Sequence, residues 1–226
     1  MADSDDDSSS NDRQLKFILL GDGTTGKTSL VTRYSQNHFG KTYQQTLGLD
    51  FFMKRLKIPG DVNVTLQVWD IGGQAIGGKM LENYIFGAHA VLLVYDITNY
   101  SSFENLDDWL AAVTKVFTEK ESLPHIALVA NKLDLEHTRT VRKERHNSFA
   151  KQHKMSSHFV SAKTDDLLNQ MFLKVVADVL KIKLSGKDLS SVSTVVKAEI
   201  ASHGNGATKT KQPVDKRTKR SFCTLQ

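Results

Sequence analysis

The sequence predicts an α/β protein: a six-stranded, mostly parallel sheet with one antiparallel edge strand and helices on both faces. Three observations carry this prediction. Short apolar runs alternate with helix-length amphipathic segments, one pair of runs is joined by a turn tripeptide, and a glycine-rich octapeptide lies between the first run and the first helical pattern. Strands alternating with helices of this length need crossover connections, which keep the strands parallel and cover both faces of the sheet.

The strands are expected at residues 15–20, 51–58, 62–69, 90–96, 126–130 and 159–161. Pro59-Gly60-Asp61 is a turn signal that makes a hairpin of the second and third, so one strand runs antiparallel at an edge. Helical spacing of apolar residues marks 27–35, 103–118, 142–153 and 167–184. Leu189, Val192, Val195, Val196 and Ile200 continue a helical period, which extends the last helix into residues 185–200. Residues 202–220, with Gly204, Gly206 and Pro213 among lysines, read as a flexible linker. The organisation expected is an acidic arm over 1–12, a folded domain over 13–184 and a polybasic tail over 185–226.

Composition narrows the class. Of 226 residues, 39% are apolar, which fits one soluble domain with tails. The longest apolar run, residues 90–95, is far below the roughly 18 residues of a membrane span. Asp3, Asp5, Asp6, Asp7 and Asp12 among serines are the opposite of a signal peptide, and Ala2 in place of glycine excludes ordinary N-myristoylation. The single cysteine, Cys223, excludes an internal disulfide. Lys209, Lys211, Lys216, Arg217, Lys219 and Arg220 against Asp215 account for the whole net charge of +5, leaving the rest of the chain neutral. The basic charge therefore belongs to a tail, and no nucleic-acid partner is expected. The histidines show no metal-ligand spacing.

The octapeptide Gly21-Asp22-Gly23-Thr24-Thr25-Gly26-Lys27-Thr28 reads as strand, glycine loop, helix. Its backbone N–H groups, those of Thr24, Thr25 and Ser29 included, can wrap a polyphosphate at the positive end of the helix. Lys27 supplies a charge for the outer phosphates, and the Thr28 hydroxyl suits Mg²⁺. Past the fifth strand, Asn131-Lys132-Leu133-Asp134 puts a carboxylate where it can accept from guanine N1–H and the exocyclic amine, a donor pair adenine lacks. Lys132 can lie along the base, and Asn131 can tie this loop to the glycine loop. Ser161-Ala162-Lys163 can donate a backbone N–H to guanine O6. At the end of the third strand, Asp70 can hold Mg²⁺ through water, Gly73 can offer its N–H to a γ-phosphate, and Gln74 can orient the attacking water. Thr46 can bring a second hydroxyl to Mg²⁺ when a third phosphate is present, which would order these loops with GTP and release them after hydrolysis.

Together these motifs resemble the Ras-like small GTPases, a P-loop NTPase family, across residues 13–184. The Thr46-Leu47-Gly48-Leu49-Asp50-Phe51 segment, residues 54–69 and Tyr95-Asp96-Ile97-Thr98 are similar to the Rab branch, and Asp70-Ile71-Gly72-Gly73-Gln74 to a divergent member of it. The resemblance implies slow GTP hydrolysis to GDP, with Mg²⁺ as cofactor. It also implies Phe39 stacking on guanine, Gly40, Lys41 and Tyr43 beside the nucleotide, and effectors that read both switches in vesicle trafficking. Two departures stand out: Gly23 replaces the usual serine, and four glycines fall within residues 71–78. The glycines raise the entropy cost of ordering switch II, which is expected to be mobile with GDP. No arginine lies between Arg33 and Arg55, so a GTPase-activating protein must supply any arginine finger, and an exchange factor reloads GTP.

Cys223-Thr224-Leu225-Gln226 fits the Cys-a-a-X prenylation signal, and the final glutamine favours farnesyl over geranylgeranyl. One lipid chain needs a second signal, which the basic tail provides. The expectation is a monomer on the cytosolic face of a membrane with a cytosolic pool, served by a prenyltransferase and a prenyl-binding escort. Three alternatives remain open at this level. The chain could be a nucleotide-gated scaffold with negligible turnover, or an ATP-using P-loop kinase, and its basic run could be a nuclear localisation signal.

Overall fold

The computed structural model describes residues 12–40, 42–117 and 123–194, the last four of these by backbone alone. The strands are β1 (Asp12–Leu20), β2 (Leu49–Ile58), β3 (Val62–Ile71), β4 (Ala90–Asp96), β5 (His125–Asn131) and β6 (Ser156–Phe159). They form one sheet in the order β2-β3-β1-β4-β5-β6, in which only the β2–β3 pair is antiparallel. The expected fold class is the one found. The hairpin turns at Gly60 and Asp61, both at positive φ, with Ile58 opposite Val62.

The helices are α1 (Lys27–Gln36), α2 (Leu81–Ile85), α3 (Tyr100–Glu104), α4 (Leu106–Val116), α5 (Lys143–Gln152), α6 (Leu168–Leu180) and α7 (Gly186–Thr194). Alternate residues of β1 feed two separate cores. Phe17 and Leu19 face α1 and α6, where the Tyr34 and Phe172 rings stack 3.8 Å apart. Ile18 and Leu20 face the layer holding Leu81, Trp109 and Val141. β4, buried at all seven positions, serves both cores, which is why its sequence shows no alternation.

Four boundaries depart from the sequence reading. The sixth strand is Ser156–Phe159, earlier than 159–161, because its serines and histidine satisfy polar partners rather than alternate with apolar residues. The helix expected over 103–118 is two helices meeting at Asn105, and Asn99 caps the first by accepting from the Ser102 N–H. Residue 118 lies outside the described residues. The last helix stops at Leu180, where Lys181 turns left-handed and its N–H bonds Ala177 and Asp178, so residues 186–194 form a separate helix rather than an extension. The first strand begins at Asp12, inside the expected acidic arm.

The order of strands positions the site. β1 has β3 on one side and β4 on the other, so the connections leave in opposite directions and a crevice opens at its carboxyl end. Ligands of open α/β sheets bind at such a reversal. The glycine loop leaves β1 at this point.

Candidate functional site

The crevice is a cavity of about 650 Å³, a volume suited to a small ligand. Its floor is the glycine loop. Gly21 and Gly26 adopt φ of 139° and 90°, and a methyl on either would lie 2.1 Å from the Val94 carbonyl oxygen or 2.5 Å from Asn131 Nδ2. Only glycine lets the loop pass this close. Lys27 is almost buried, and its Nζ donates to the Gly21 and Asp22 carbonyls at 2.7 and 2.8 Å. Burial pulls its pKa down to about 8, against the pull of Asp70 and Asp22. Gly23, Thr24, Ser29 and Thr28 line the cavity, whereas Thr25 turns away and its hydroxyl donates to the Asp22 carbonyl at 2.9 Å.

At one end three oxygen-bearing side chains from separate segments converge. Thr28 Oγ1 lies 2.8 Å from Thr46 Oγ1 and donates to Asp70 Oδ2 at 2.5 Å, and Thr46 Oγ1 lies 3.5 Å from the same oxygen. Asp70 is fully buried, and among the described residues its other oxygen, Oδ1, has no hydrogen-bond partner. A buried carboxylate oxygen without a donor is costly. Burial raises the Asp70 pKa to about 6, opposed by the Thr28 hydrogen bond and the Lys27 charge. Two hydroxyls and a carboxylate are the hard oxygen donors that Mg²⁺ takes while keeping several waters, so the residues fit that ion.

Around this point switch II, residues 71–78, folds onto switch I, the loop of residues 45–48 that carries Thr46. Gly72 N–H donates to the Gly48 carbonyl at 2.9 Å, and Gln74 Nε2 donates to the Thr46 carbonyl at 2.9 Å. Gln45 Nε2 donates to Gln74 Oε1 at 3.3 Å. Both amide atoms of Gln74 are therefore engaged by switch I. Gly73 also lines the cavity, and Gly77 and Gly78 lie beyond it.

The other end is built from the β5 and β6 loops. Asn131, buried, donates from Nδ2 to the Thr25 carbonyl at 2.8 Å and accepts the Ala162 N–H at 3.2 Å. One side chain thus joins the phosphate loop to the β6 loop. Lys132, left-handed at φ 67°, places its Nζ 2.7 Å from Asp96 Oδ2, which leaves its methylenes on the cavity wall. Asp134 accepts from Ser161 Oγ at 2.6 Å and lies 3.7 Å from Lys163 Nζ. Ser161 itself lies behind the wall, while Ala162 and Lys163 line it. Phe39, Gly40 and Tyr43 line the open rim; Lys41 lies outside the described residues, as does Cys223.

The structure also brings in residues the sequence reading missed. Arg33 on α1 donates to the Ala162 and Lys163 carbonyls at 3.1 and 2.9 Å, and its guanidinium lies 5.8 Å from the Phe39 ring centre. Asp22 is held by Asn105 and by Trp109. These pairings span 83 to 130 residues, so no local signal announces them. Leu135, Thr32, His38, Thr42 and Gln44 also line the cavity. Leu135 could have been found from its fixed place after Asp134.

A glycine loop leaving a reversal in a parallel sheet, a buried three-oxygen cluster and two loops bound to one asparagine belong to a P-loop NTPase-like architecture. The Ras family matches this chain over residues 16–181. The chain belongs to the Ras family, as a small GTPase of Rab type. It is 44% identical over 199 residues to the Ras-related protein Rab-28 of Caenorhabditis elegans, covering 88% of this chain and 79% of that protein. It is 33% identical over 180 residues to Rab-13 of Bos taurus, covering 80% and 86%. With Rab-1 of Theileria parva it shares 33% over 192 residues, 84% and 85% of the two chains. Membership carries Mg²⁺-dependent GDP and GTP binding, GTP hydrolysis, cycling between the two states and a role in vesicle trafficking. It also implies exchange-factor, activating-protein and effector partners of the kind the family uses. Among the described residues no helix is long and apolar enough to cross a membrane.

Proposed function

We propose that the cavity binds guanine nucleotide in one orientation, with the phosphates on residues 21–29 and the base between Lys132, Asp134, Phe39 and the Ala162 N–H. Thr28, Thr46 and Asp70 would hold Mg²⁺, which when bound neutralises phosphate charge. The observation that carries this reading is the convergence of Thr28, Thr46 and the unpartnered oxygen of buried Asp70. Gly73 offers its N–H to the terminal phosphate, and Gln74 orients the attacking water once it leaves the Thr46 carbonyl. Hydrolysis by the chain alone is slow, and an activating protein supplies the missing positive charge.

Effectors are read on the bare face of the β2–β3 hairpin beside the switches. Phe51 and Met53 are exposed there, Leu47 and Met80 are exposed just before β2 and just before α2, and Phe51 and Tyr84 flank Trp69 with ring centres 6.0 and 6.3 Å away. An apolar patch joined to both switches suits a partner that responds to the nucleotide. The GTPase domain is residues 13–184, and the tail over 185–226, which opens with α7, carries the membrane anchor: a farnesyl group on Cys223 backed by the basic run. The protein then divides between the cytosolic face of a membrane and an escort-bound cytosolic pool.

The test is competition for bound fluorescent GDP in Mg²⁺ and in chelator. Displacement by GTP but not by ATP, with weaker retention in chelator, is the expected result; equal displacement by ATP overturns the base assignment. A second reading, a nucleotide-gated scaffold with negligible turnover in the cell, is favoured by the engagement of both Gln74 amide atoms. Single-turnover hydrolysis with and without cell extract separates the two. For the anchor, Cys223→Ser should release the protein from membranes, and unchanged partitioning rejects it.

A further inference from the structure

Asp22 lies in the phosphate loop, yet both of its carboxylate oxygens are engaged by a helix elsewhere. Asn105 Nδ2 donates to Oδ2 at 2.7 Å, and Trp109 Nε1 donates to Oδ1 at 3.0 Å. The two donors stand four residues apart, on one face of the chain leading into α4. Trp109 is fully buried, and a buried indole N–H needs an acceptor. Its acceptor is a loop 87 residues away.

Through its main chain the same aspartate meets Lys27 and Thr25 of the glycine loop. Its carbonyl oxygen accepts from Lys27 Nζ at 2.8 Å and from the Thr25 hydroxyl at 2.9 Å. On the opposite side, a methyl on Gly73 would lie 2.1 Å from the Gly23 nitrogen and 2.5 Å from the Asp22 carbonyl carbon. The switch II backbone therefore rests directly on the 22–23 peptide. Farther along α4, Lys115 Nζ pairs with Glu82 of α2 at 2.6 Å. One helix thus contacts the phosphate loop at its start and the segment after switch II near its end, while none of its residues lines the cavity.

We infer that Asn105 and Trp109 are positioning residues for nucleotide retention. They hold Asp22, and through it the 22–23 peptide and Lys27, in the shape that grips phosphate, so a helix outside the cavity sets how long the nucleotide stays. The inference rests on the guanine-nucleotide reading of the cavity proposed above. It extends that reading to a residue pair the glycine loop does not contain.

The experiment follows release of fluorescent GDP from the full chain, chased with excess GDP at fixed Mg²⁺. Asn105→Ala, at an exposed helix cap, and Trp109→Phe, which keeps an aromatic ring and loses the N–H, should each release about tenfold faster or more, the change expected from losing one hydrogen bond to a charged group. Asp22→Asn should do the same, and adding Asn105→Ala to it should change little, because both act through one contact. Leu110→Ala, on the same helix but away from Asp22, lowers the melting temperature and should leave release at the wild-type rate. Release at the wild-type rate in Asn105→Ala and Trp109→Phe overturns the inference, as does equal acceleration by Leu110→Ala. Failure of the wild type to retain guanine nucleotide instead defeats the underlying reading of the cavity, so the two failures are distinguishable.

Discussion

The two ends of the cavity are built in different ways. At the base end, Asn131, Ser161, Asp134 and Arg33 are cross-linked by hydrogen bonds between the β5 loop, the β6 loop and α1, and Asn131 and Ser161 are buried. At the phosphate end, Thr46 and Gln74 are tied by a few exposed contacts between loops rich in glycine. A buried, satisfied network holds one shape, whereas exposed loop contacts open at little cost. On the proposed reading of the cavity, the base would be read by a cross-linked frame, and the third phosphate by loop contacts that close over the Thr28–Thr46–Asp70 cluster.

The sharpest way to break that contrast is at the base. Asp134→Ala should cut guanine-nucleotide affinity by about a thousandfold, since two hydrogen bonds to a charged acceptor are lost, with no change in phosphate dependence. Titration of GDP and free phosphate against the variant measures both. At the phosphate end, Gln74→Leu should leave GTP affinity intact and slow single-turnover hydrolysis by about a hundredfold, in the range for a positioned catalytic side chain. Unchanged turnover would remove Gln74 from its role. Thr28→Asn should weaken Mg²⁺-dependent GTP binding by about tenfold, as loss of a metal-site group does, and push the protein towards GDP. Equal GTP affinity in Mg²⁺ and chelator for the variant and the wild type would reject the oxygen cluster as the ion's site.

A smaller effect is read by pH and bears on the stability of the whole fold. His146 is fully buried beneath β5 and β6, with Tyr95 Oη at 2.9 Å from Nδ1 and Ser157 Oγ at 2.8 Å from Nε2. Burial pulls its pKa down to about 4 from 6.5, helped by the charges of His158 and Arg139. The unfolded chain binds this proton more readily, so the stabilisation is complete above pH 6.5 and is lost as pH falls towards 4. Stability should drop by about 3 kcal/mol over that window, and the loss should be reduced in His146→Gln. Chemical denaturation at several pH values checks it. The smallest expected difference is in hydrogen exchange over residues 71–80, which should slow with a GTP analogue relative to GDP. Equal protection in the two states would contradict a compliant switch II.

Much of this was legible in the sequence because the informative contacts are local. Gly21 to Thr28, Asn131 to Asp134 and the turn at Pro59 each announce themselves within a few residues, and the first five strands register as apolar runs. The sixth was displaced because Ser156, Ser157 and His158 hide a strand behind polar residues that bond His125 and His146. α2 escaped notice because five residues with two buried anchors, Leu81 and Ile85, are too short to show a period. What sequence could not supply is distance across the chain. Arg33 reaches the Ala162 carbonyl 129 positions away, and Asn105 reaches Asp22 across 83.

The two tryptophans of the chain divide along the same line, with a spectroscopic consequence. Trp109 has its indole N–H fixed on the Asp22 carboxylate, while Trp69 lies under the Lys16 ammonium at 4.3 Å with a buried N–H that none of the described residues satisfies. Each ring is a separate emitter, one wired to the phosphate loop and the other to the exposed apolar patch. In the Trp109→Phe protein, intrinsic fluorescence comes from Trp69 alone. Its colour and quenching then record when a partner covers the switch face, without any label attached.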